Sequence, residues 1–552
     1  MTWSLLQHPS TVVRTMPTVK RGITHLVLAI LLTQCSMGAV FNSGDTPALH
    51  RGVYEVTVRS NVSQKSLYVE QRMKVIFTRP DRSQVSVDAF YNGAGTWHAR
   101  AYCDQVGPWQ WQSQPATARL AVGKGTFEVV PSKLPGKLRK HPDDPFQFAR
   151  DDGSWFLHIG DTGYRYVVAT EPHWQAYIDQ AAEAGFTKIR TWFAQARSTV
   201  EALTTPDRQR LALGYWQEID QRLRYALERH PGVVFQLMPY AEDTQEIRRY
   251  AQGDPMAKLI GQAAQARWSA FPNVYWTLSN DREIVDKTPL TGRKVLNATI
   301  NRIGRDFAAR EPWGTLLTNH QSRFTGYAFV DAPWSDVITL EDIDQVHGRI
   351  IAKYRKQGSD PIVNDEDRYE LYRSAGNRRY FFRRLMWGSL LSGGHASYGG
   401  LRTYEAFDGG PRRGVQGYFD ANRKGVLFQG AHDFIHLHSF FAKAGITLVG
   451  LQPNDALVGG NPLQVKCAAN EKTVLIYLAN PTGNSPDTDN PAAKKPSVTI
   501  RLNGDYTVRW FNPRTGTWID GQPLTGRKKH TLTAPAVQRT RAGDWVLLLR
   551  RK

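Results

Sequence analysis

Cysteine is scarce in this chain, with three in 552 residues. Cys35 sits in the amino-terminal segment, and Cys103 and Cys467 fall in stretches predicted to belong to different domains. Neither a disulfide framework nor a structural zinc site can be assembled from them. Long apolar runs are equally scarce: residues 26–32 are apolar, but a bilayer span takes about 20 residues. Acidic residues are in deficit, with 50 Asp and Glu against 70 Lys and Arg, for a net charge of +20. Such an excess admits nucleic acid, acidic membranes or acidic polysaccharide as partners. The basic residues are scattered, however, with Lys137, Arg139 and Lys140 in a connection, Arg378, Arg379, Arg383 and Arg384 in a helical stretch, and Arg527, Lys528 and Lys529 near the end. No nucleic-acid-binding motif accompanies them, which leaves a solvated basic surface or an anionic glycan as the reading of the charge. No HExxH or other metal-ligand spacing and no phosphate-loop pattern is present, so no metal, nucleotide or other cofactor is expected.

What the chain does have is aromatic residues: 16 Trp, 22 Tyr and 23 Phe within a 41% hydrophobic composition exclude a largely disordered chain. Its length calls for several domains. Lys20 and Arg21 precede the apolar stretch, and Gly38 and Ala39 follow it, the pattern of a signal peptide over residues 1–39, with Met16 as an alternative start. A secreted or periplasmic protein is therefore expected. Leu32-Thr33-Gln34-Cys35 is a degenerate lipoprotein site, so a lipid-anchored surface protein held through Cys35 is the alternative.

Residues 46–130 alternate apolar and polar, with turn clusters at Arg79-Pro80-Asp81 and Asn92-Gly93, which predicts a β-sandwich. Residues 131–145, rich in Lys, Pro and Gly, read as a linker. Over residues 146–444 strands alternate with helix-length segments, the pattern of a parallel sheet with crossover helices. Eight strands are predicted to begin near Trp155, Thr187, Val233, Val274, Thr315, Val337, Pro361 and Leu390, with helices such as 174–184 and 216–228 between them. The expected fold is α/β, a (β/α)8 TIM barrel, whose active site lies at the carboxyl ends of its strands. Residues 445–552 return to alternation, with a turn at Asn512-Pro513-Arg514-Thr515-Gly516 and a Pro-, Asn- and Asp-rich loop over 481–496, and predict a second β-sandwich.

Polar residues at the strand ends are the candidates for chemistry. They are Asp161 after strand one, Arg190 and Trp192 in strand two, Tyr240 after strand three, Asn280 and Asp281 after strand four, His320 after strand five, Glu341 after strand six, Glu366 after strand seven, and His395 and Tyr398 in strand eight. Two carboxyls facing each other across a rim are what glycosidic hydrolysis requires: a protonated acid for the leaving oxygen and a carboxylate as nucleophile or base. Glu366 is assigned as nucleophile, kept ionised by a cation such as Arg190, and Asp281 as acid and base, with Asn280 on a sugar hydroxyl. Asp281 could instead cap a helix starting at Arg282, Glu283 is its rival as acid, Glu370 is the rival to Glu366, and Glu341 could start a helix. Trp192, Phe193 and Tyr398 read equally as a sugar-stacking floor or as packing under the loops. The predicted partner is a polysaccharide or oligosaccharide substrate. A non-catalytic carbohydrate-binding or surface-attachment protein on the same barrel is the alternative.

Several motifs carry a family resemblance: residues 155–162 (WFLHIGDT), 185–192 (GFTKIRTW), 273–281, 361–370 and 393–399. On these the middle region resembles the apiosidase-like glycoside hydrolases, the barrel family 4038, of which glycoside hydrolase family 140 is the characterised branch. The front, with Phe90-Tyr91-Asn92-Gly93 and Gly107-Pro108-Trp109-Gln110-Trp111, resembles the β-sandwich family 5060, and the tail, with residues 511–516 and 544–548, resembles a collagen-binding-type domain of collagenase. The resemblance implies an Asp after strand four as acid and a Glu after strand seven as nucleophile, which fall on Asp281 and Glu366. Many relatives have Asn-Glu where this chain has Asn280-Asp281, and an aromatic where it has Gly163-Tyr164, so a substrate other than apiose-containing pectin is open.

Overall fold

Short runs of apolar and β-branched residues build the barrel, because strands covered on both faces need no polar alternation. In the computed structural model these are β1 (Ile159–Asp161), β2 (Lys188–Trp192), β3 (Val234–Met238), β4 (Val274–Thr277), β5 (Leu317–Thr318), β6 (Ile338–Glu341), β7 (Ile362–Glu366) and β8 (His395–Tyr398). All neighbours pair in parallel, in the order β5-β4-β3-β2-β1-β8-β7-β6. The ring closes between β5 and β6 through a His320–Thr339 bridge and an Asp336 N–H donated to the Leu317 carbonyl at 2.7 Å. The structure describes residues 40–44, 46–59, 73–115, 122–164, 166, 174–193, 203–240, 244–288, 290–370, 378–400, 429–490, 495–535 and 543–552. The predicted signal segment, with Cys35, lies outside them.

The crossover helices form for ordinary reasons. Leu213–Arg229 buries Tyr215, Trp216, Ile219, Leu223, Ala226 and Leu227, a stripe at helical spacing. Pro255–Trp268 opens with proline and is capped by Asp254, which accepts from the Ala257 N–H at 2.7 Å. Among the described residues no helix is long and apolar enough to cross a membrane.

The barrel interior is charged where branched aliphatics are usual. Lys188, Arg190, His320 and Asp365 are all fully buried in it. Lys188 donates to Asp365, and Ser397 Oγ does the same. Gly160 is what lets this packing close, since a Cβ there would lie 2.2 Å from Ser397 Oγ and 3.1 Å from the Lys188 side chain.

Three expectations need correction. Trp155–Phe156 is not part of the barrel: it pairs antiparallel with Asp144–Arg150, and β1 starts only at Ile159. Leu390 lies in helix Arg378–Leu391, where Leu390 and Leu391 extend the buried face; Gly393, at φ 77°, turns the chain before β8. The stretch read as a linker, 131–145, carries the strand Leu138–His141, which forms a hairpin with Asp144–Arg150. It folds as a strand because Leu138 joins Phe148, Phe156, Val234, Tyr275 and Val363 in an apolar layer, and because the Lys137 ammonium, itself buried, donates to Ser269 O, Phe271 O and Thr315 Oγ1 at 2.7, 3.0 and 2.8 Å.

Two β-rich regions flank the barrel. In front, a four-stranded sheet containing Val53–Arg59 and Thr96–Tyr102 packs with a five-stranded sheet containing Gly107–Pro115 and Met73–Thr78. At the end, a six-stranded sheet centred on Thr473–Leu478 and Trp545–Arg551 packs with the ribbon of Ser497–Asn503 and Arg527–Thr533. Buried arginines join both to the barrel. Arg100 of the front sheet binds Asp220 at 2.9 Å and Glu55 at 2.9 Å. Arg383 binds Asp544 of the tail at 2.8 Å and Asp433 at 2.6 Å, and Arg384 is equally buried. Part of the basic excess is thus internal rather than solvated, although Arg527, Lys528 and Lys529 do lie exposed. Cys103 and Cys467 are buried and unpaired.

Candidate active site

Glu366 closes β7 and turns its carboxyl toward the barrel axis. Arg190, projecting from β2, donates to Glu366 Oε2 at 2.7 Å, and the Tyr164 hydroxyl lies 3.3 Å from the same oxygen. Arg190 is itself fixed on three sides. Its Nη1 stands 2.6 Å from His320 Nε2, its guanidinium is 3.8 Å from Asp365, and it lies 4.9 Å over the Tyr164 ring. Since arginine can only donate, His320 Nε2 accepts from it, and the Asp281 N–H lies 3.4 Å from Nδ1. Burial, followed by the Arg190 charge, holds His320 well below its usual range, so it is neutral. Burial opposes the charge of Asp365, but Lys188 and Arg190 outweigh it and keep that carboxylate ionised.

Two further carboxyls meet Glu366. Asp281 follows β4 and is ion-paired with Arg293. Glu341 ends β6 in register with Glu366 and accepts from Arg323 Nη1 at 2.8 Å and from the Arg323 N–H at 3.3 Å. Burial, then the charges of Glu366 and Asp281 and a hydrogen bond with Asp281, pushes Glu341 up to about 8. Burial and the Asp281 charge also raise Glu366, against the pull of Arg190. When neighbouring carboxyls compete for a proton, the one with the weaker cation takes it. Glu341 is therefore the protonated member, and Glu366, clamped by a fully buried arginine, is the ionised one. Turnover is expected to fall as pH rises through about 8, where Glu341 ionises. In Glu341→Gln that alkaline limb flattens while the acidic limb stays in place, which a pH–rate profile of kcat/KM checks.

The helix-cap reading of Asp281 does not hold: the chain after it forms the strand Glu283–Val285, paired with Lys294–Leu296, and Asp281 sits at φ 52°. Nor does Glu341 start a helix, since it ends a strand. Glu283 lies on the outlying ribbon, whereas Asp281 acts on the Glu341 and Glu366 carboxyls. Glu370 is a structural residue, accepting from the Tyr398 hydroxyl and from the Gly430 N–H at 2.8 Å.

Of the other predicted site residues, Asn280 is in place, its Oδ1 3.5 Å from the Tyr164 hydroxyl, and Trp192 is stacked on Tyr164 with centroids 4.2 Å apart and planes 1° apart. Five are not part of this group. Asp161 faces away from the axis and accepts from Tyr177 of helix Trp174–Glu183 at 2.7 Å. Tyr240 is core, donating to the Ala257 carbonyl at 2.9 Å between Tyr250 and Phe307. Tyr398 packs among Phe186, Phe382 and Phe434, and Phe193 against Trp216 and Trp268, which settles both as packing. His395 begins β8 and so lies at the opposite end of the barrel, beside Phe148 and His158. Tyr164, Arg293 and Arg323 were not foreseen. Tyr164 had a signal, lying three residues beyond the end of β1, whereas the two arginines sit in loops with nothing local to mark them. Among the described residues no group of three or more His, Cys, Asp or Glu is arranged to hold a metal ion.

An eight-stranded parallel barrel that gathers carboxyls at the carboxyl ends of β4, β6 and β7 is the framework of a glycoside hydrolase. The model of the apiosidase-like catalytic domain matches residues 144–447, and the chain belongs to that family. Residues 52–116 match a domain of unknown function, family 5060, and residues 489–550 match a candidate collagen-binding domain of a collagenase. Among solved structures, a candidate glycoside hydrolase from Bacteroides vulgatus aligns over 91% of this chain and 99% of its own, at 17% identity and a TM-score of 0.68. A family 5 glycoside hydrolase from the same organism aligns over 76% of this chain and 95% of its own, at 14% identity and a TM-score of 0.59. No curated protein sequence matches the chain.

Proposed function

We propose that the protein is an exported enzyme that cleaves O-glycosidic bonds in a complex polysaccharide, acidic polymers included, with retention of configuration. One observation carries the reading: a buried guanidinium lies 2.7 Å from Glu366 at a strand end, while burial and the neighbouring carboxylates push a second carboxyl of the same cluster up to about 8. Glu366 attacks the anomeric carbon as the bond to the leaving oxygen breaks, and Asp281 gives that oxygen a proton. That proton is drawn from Glu341, which is hydrogen-bonded to Asp281, so both carboxyls are left ionised. Water then displaces Glu366 from the sugar, losing its proton to Asp281, which passes it back to Glu341, and the cycle closes. Tyr164 borders Glu366, with Asn280 beside it, and the pair suits the hydroxyl next to the reacting carbon.

A second reading exchanges Asp281 and Glu341, since Arg293 pairs with the former and the proton rests on the latter. The test is a screen of plant and algal polysaccharides and aryl glycosides, with the anomer of the first product identified. Asp281→Asn is expected to lose about 10²–10⁴-fold on substrates with poor leaving groups and far less on activated aryl glycosides. That selective loss in Glu341→Gln instead would reverse the two roles, and an inverted product would sink the double displacement.

A further inference from the structure

The tail domain reaches the active-site rim. Asp487, in the loop that follows Thr473–Leu478, accepts from Arg368 Nη1 at 2.7 Å, and both side chains are nearly covered, 10% and 14% exposed. Arg368 stands two residues beyond Glu366. Its Nε donates to Asp344 at 2.5 Å, and its guanidinium lies 5.0 Å over Phe381. The Asp487 loop is pinned in turn: Ser485 Oγ donates to Asp487 at 3.0 Å, and buried Arg384 donates to the carbonyls of Ser485 and Pro486 at 2.6 and 2.9 Å.

These contacts continue into the strand ends that carry the carboxyls. Asp367 accepts from the backbone N–H groups of Asp344, Gln345 and Arg368 at 2.8, 2.9 and 2.9 Å. The Asp342 N–H donates to the Glu366 carbonyl at 3.1 Å. Asp344 is at φ 61°, a left-handed conformation that aspartate tolerates better than most residues. The ends of β6 and β7 are thus stitched to each other through Asp367, and the stitch is anchored on the tail through Arg368 and Asp487.

We infer that the carboxyl-terminal domain is a working part of the active site: Asp487 is a positioning residue that, through Arg368, sets the Glu366 carboxyl against its neighbours on β4 and β6. The inference rests on the function proposed above for Glu366, but its geometry does not. A side chain aligned for in-line attack loses about 10²-fold for a displacement near 1 Å, so a rim anchor acts on kcat more than on KM.

The test uses the full chain with Asp487→Ala and Asp487→Glu. In Asp487→Ala, kcat is expected to fall about 10- to 100-fold with KM within about twofold. Backbone amides of residues 362–370 should exchange with deuterium faster, while those of residues 188–192 keep their protection. Asp487→Glu should restore most of both, and Arg368→Ala combined with Asp487→Ala should be no slower than either alone. Unchanged exchange over 362–370 overturns the inference whether or not a substrate is known, as does faster exchange with undiminished kcat. Absence of glycoside turnover by the unaltered enzyme counts against the proposed function, and the exchange result then decides the anchoring by itself.

Discussion

Glu366→Gln is expected to lower turnover by about 10⁴-fold or more with the melting temperature preserved. The amide fills the same space and can still accept from Arg190 Nη2, now 2.7 Å from Oε2. What disappears is the negative charge and the nucleophile with it; Glu370 is occupied by Tyr398 and Gly430, and Asp365 by Lys188 and Ser397. Circular dichroism and thermal unfolding check the fold, and single-turnover assays check the chemistry. Residual hydrolysis within tenfold of the unaltered enzyme would dismiss Glu366 as nucleophile.

Arg190→Met should damage both stability and activity. Arg190 is fully buried and faces two carboxylates, Glu366 at 2.7 Å and Asp365 at 3.8 Å. Removing one partner of a buried ion pair strands the other, a loss of about 3–5 kcal/mol. Part of this is relieved if Glu366 takes up a proton, since its pKa is already raised by burial and only Arg190 and local hydrogen bonds oppose that. The sign follows directly. Catalysis needs the ionised form, so a higher Glu366 pKa moves the acidic limb of the pH–rate profile upward. Arg190→Lys, which keeps the charge but not the planar fork, is the variant for that measurement, and denaturant unfolding of Arg190→Met tests the stability. A stability loss below about 1 kcal/mol in Arg190→Met would show that Arg190 is not the counter-ion.

Both residues were legible in the sequence because an apolar strand that breaks into charge marks a barrel rim. The limit of that reading is the face a residue takes. Arg190 and Asp161 both lie near strand ends, yet Arg190 projects to the axis and Asp161 to a helix, and side chains alternate every residue. A strand start misjudged by a few residues also inverts the end assigned: β8 was expected from Leu390, and its actual start at His395 places that histidine away from the rim. Arg293 and Arg323 were beyond reach because their partners are brought to them by loops. The buried arginines of helix Arg378–Leu391 misled in the opposite direction, since a charged run looks solvated until its acidic partners, 50 and 161 residues away, are placed beside it.

The left-handed backbone at Asp281 bears on which acid can stand there. At φ 52° a short carboxyl that can bond its own backbone is tolerated, whereas a longer side chain is disfavoured. The loop after β4 thereby selects aspartate over glutamate, and lengthening the side chain to bring its oxygen closer to a sugar carries a conformational cost of about 1 kcal/mol. Reach at this position is governed by the bend of the main chain. A designer seeking a different bond geometry would do better to reshape the turn from Ser279 to Arg282 than to exchange the acid.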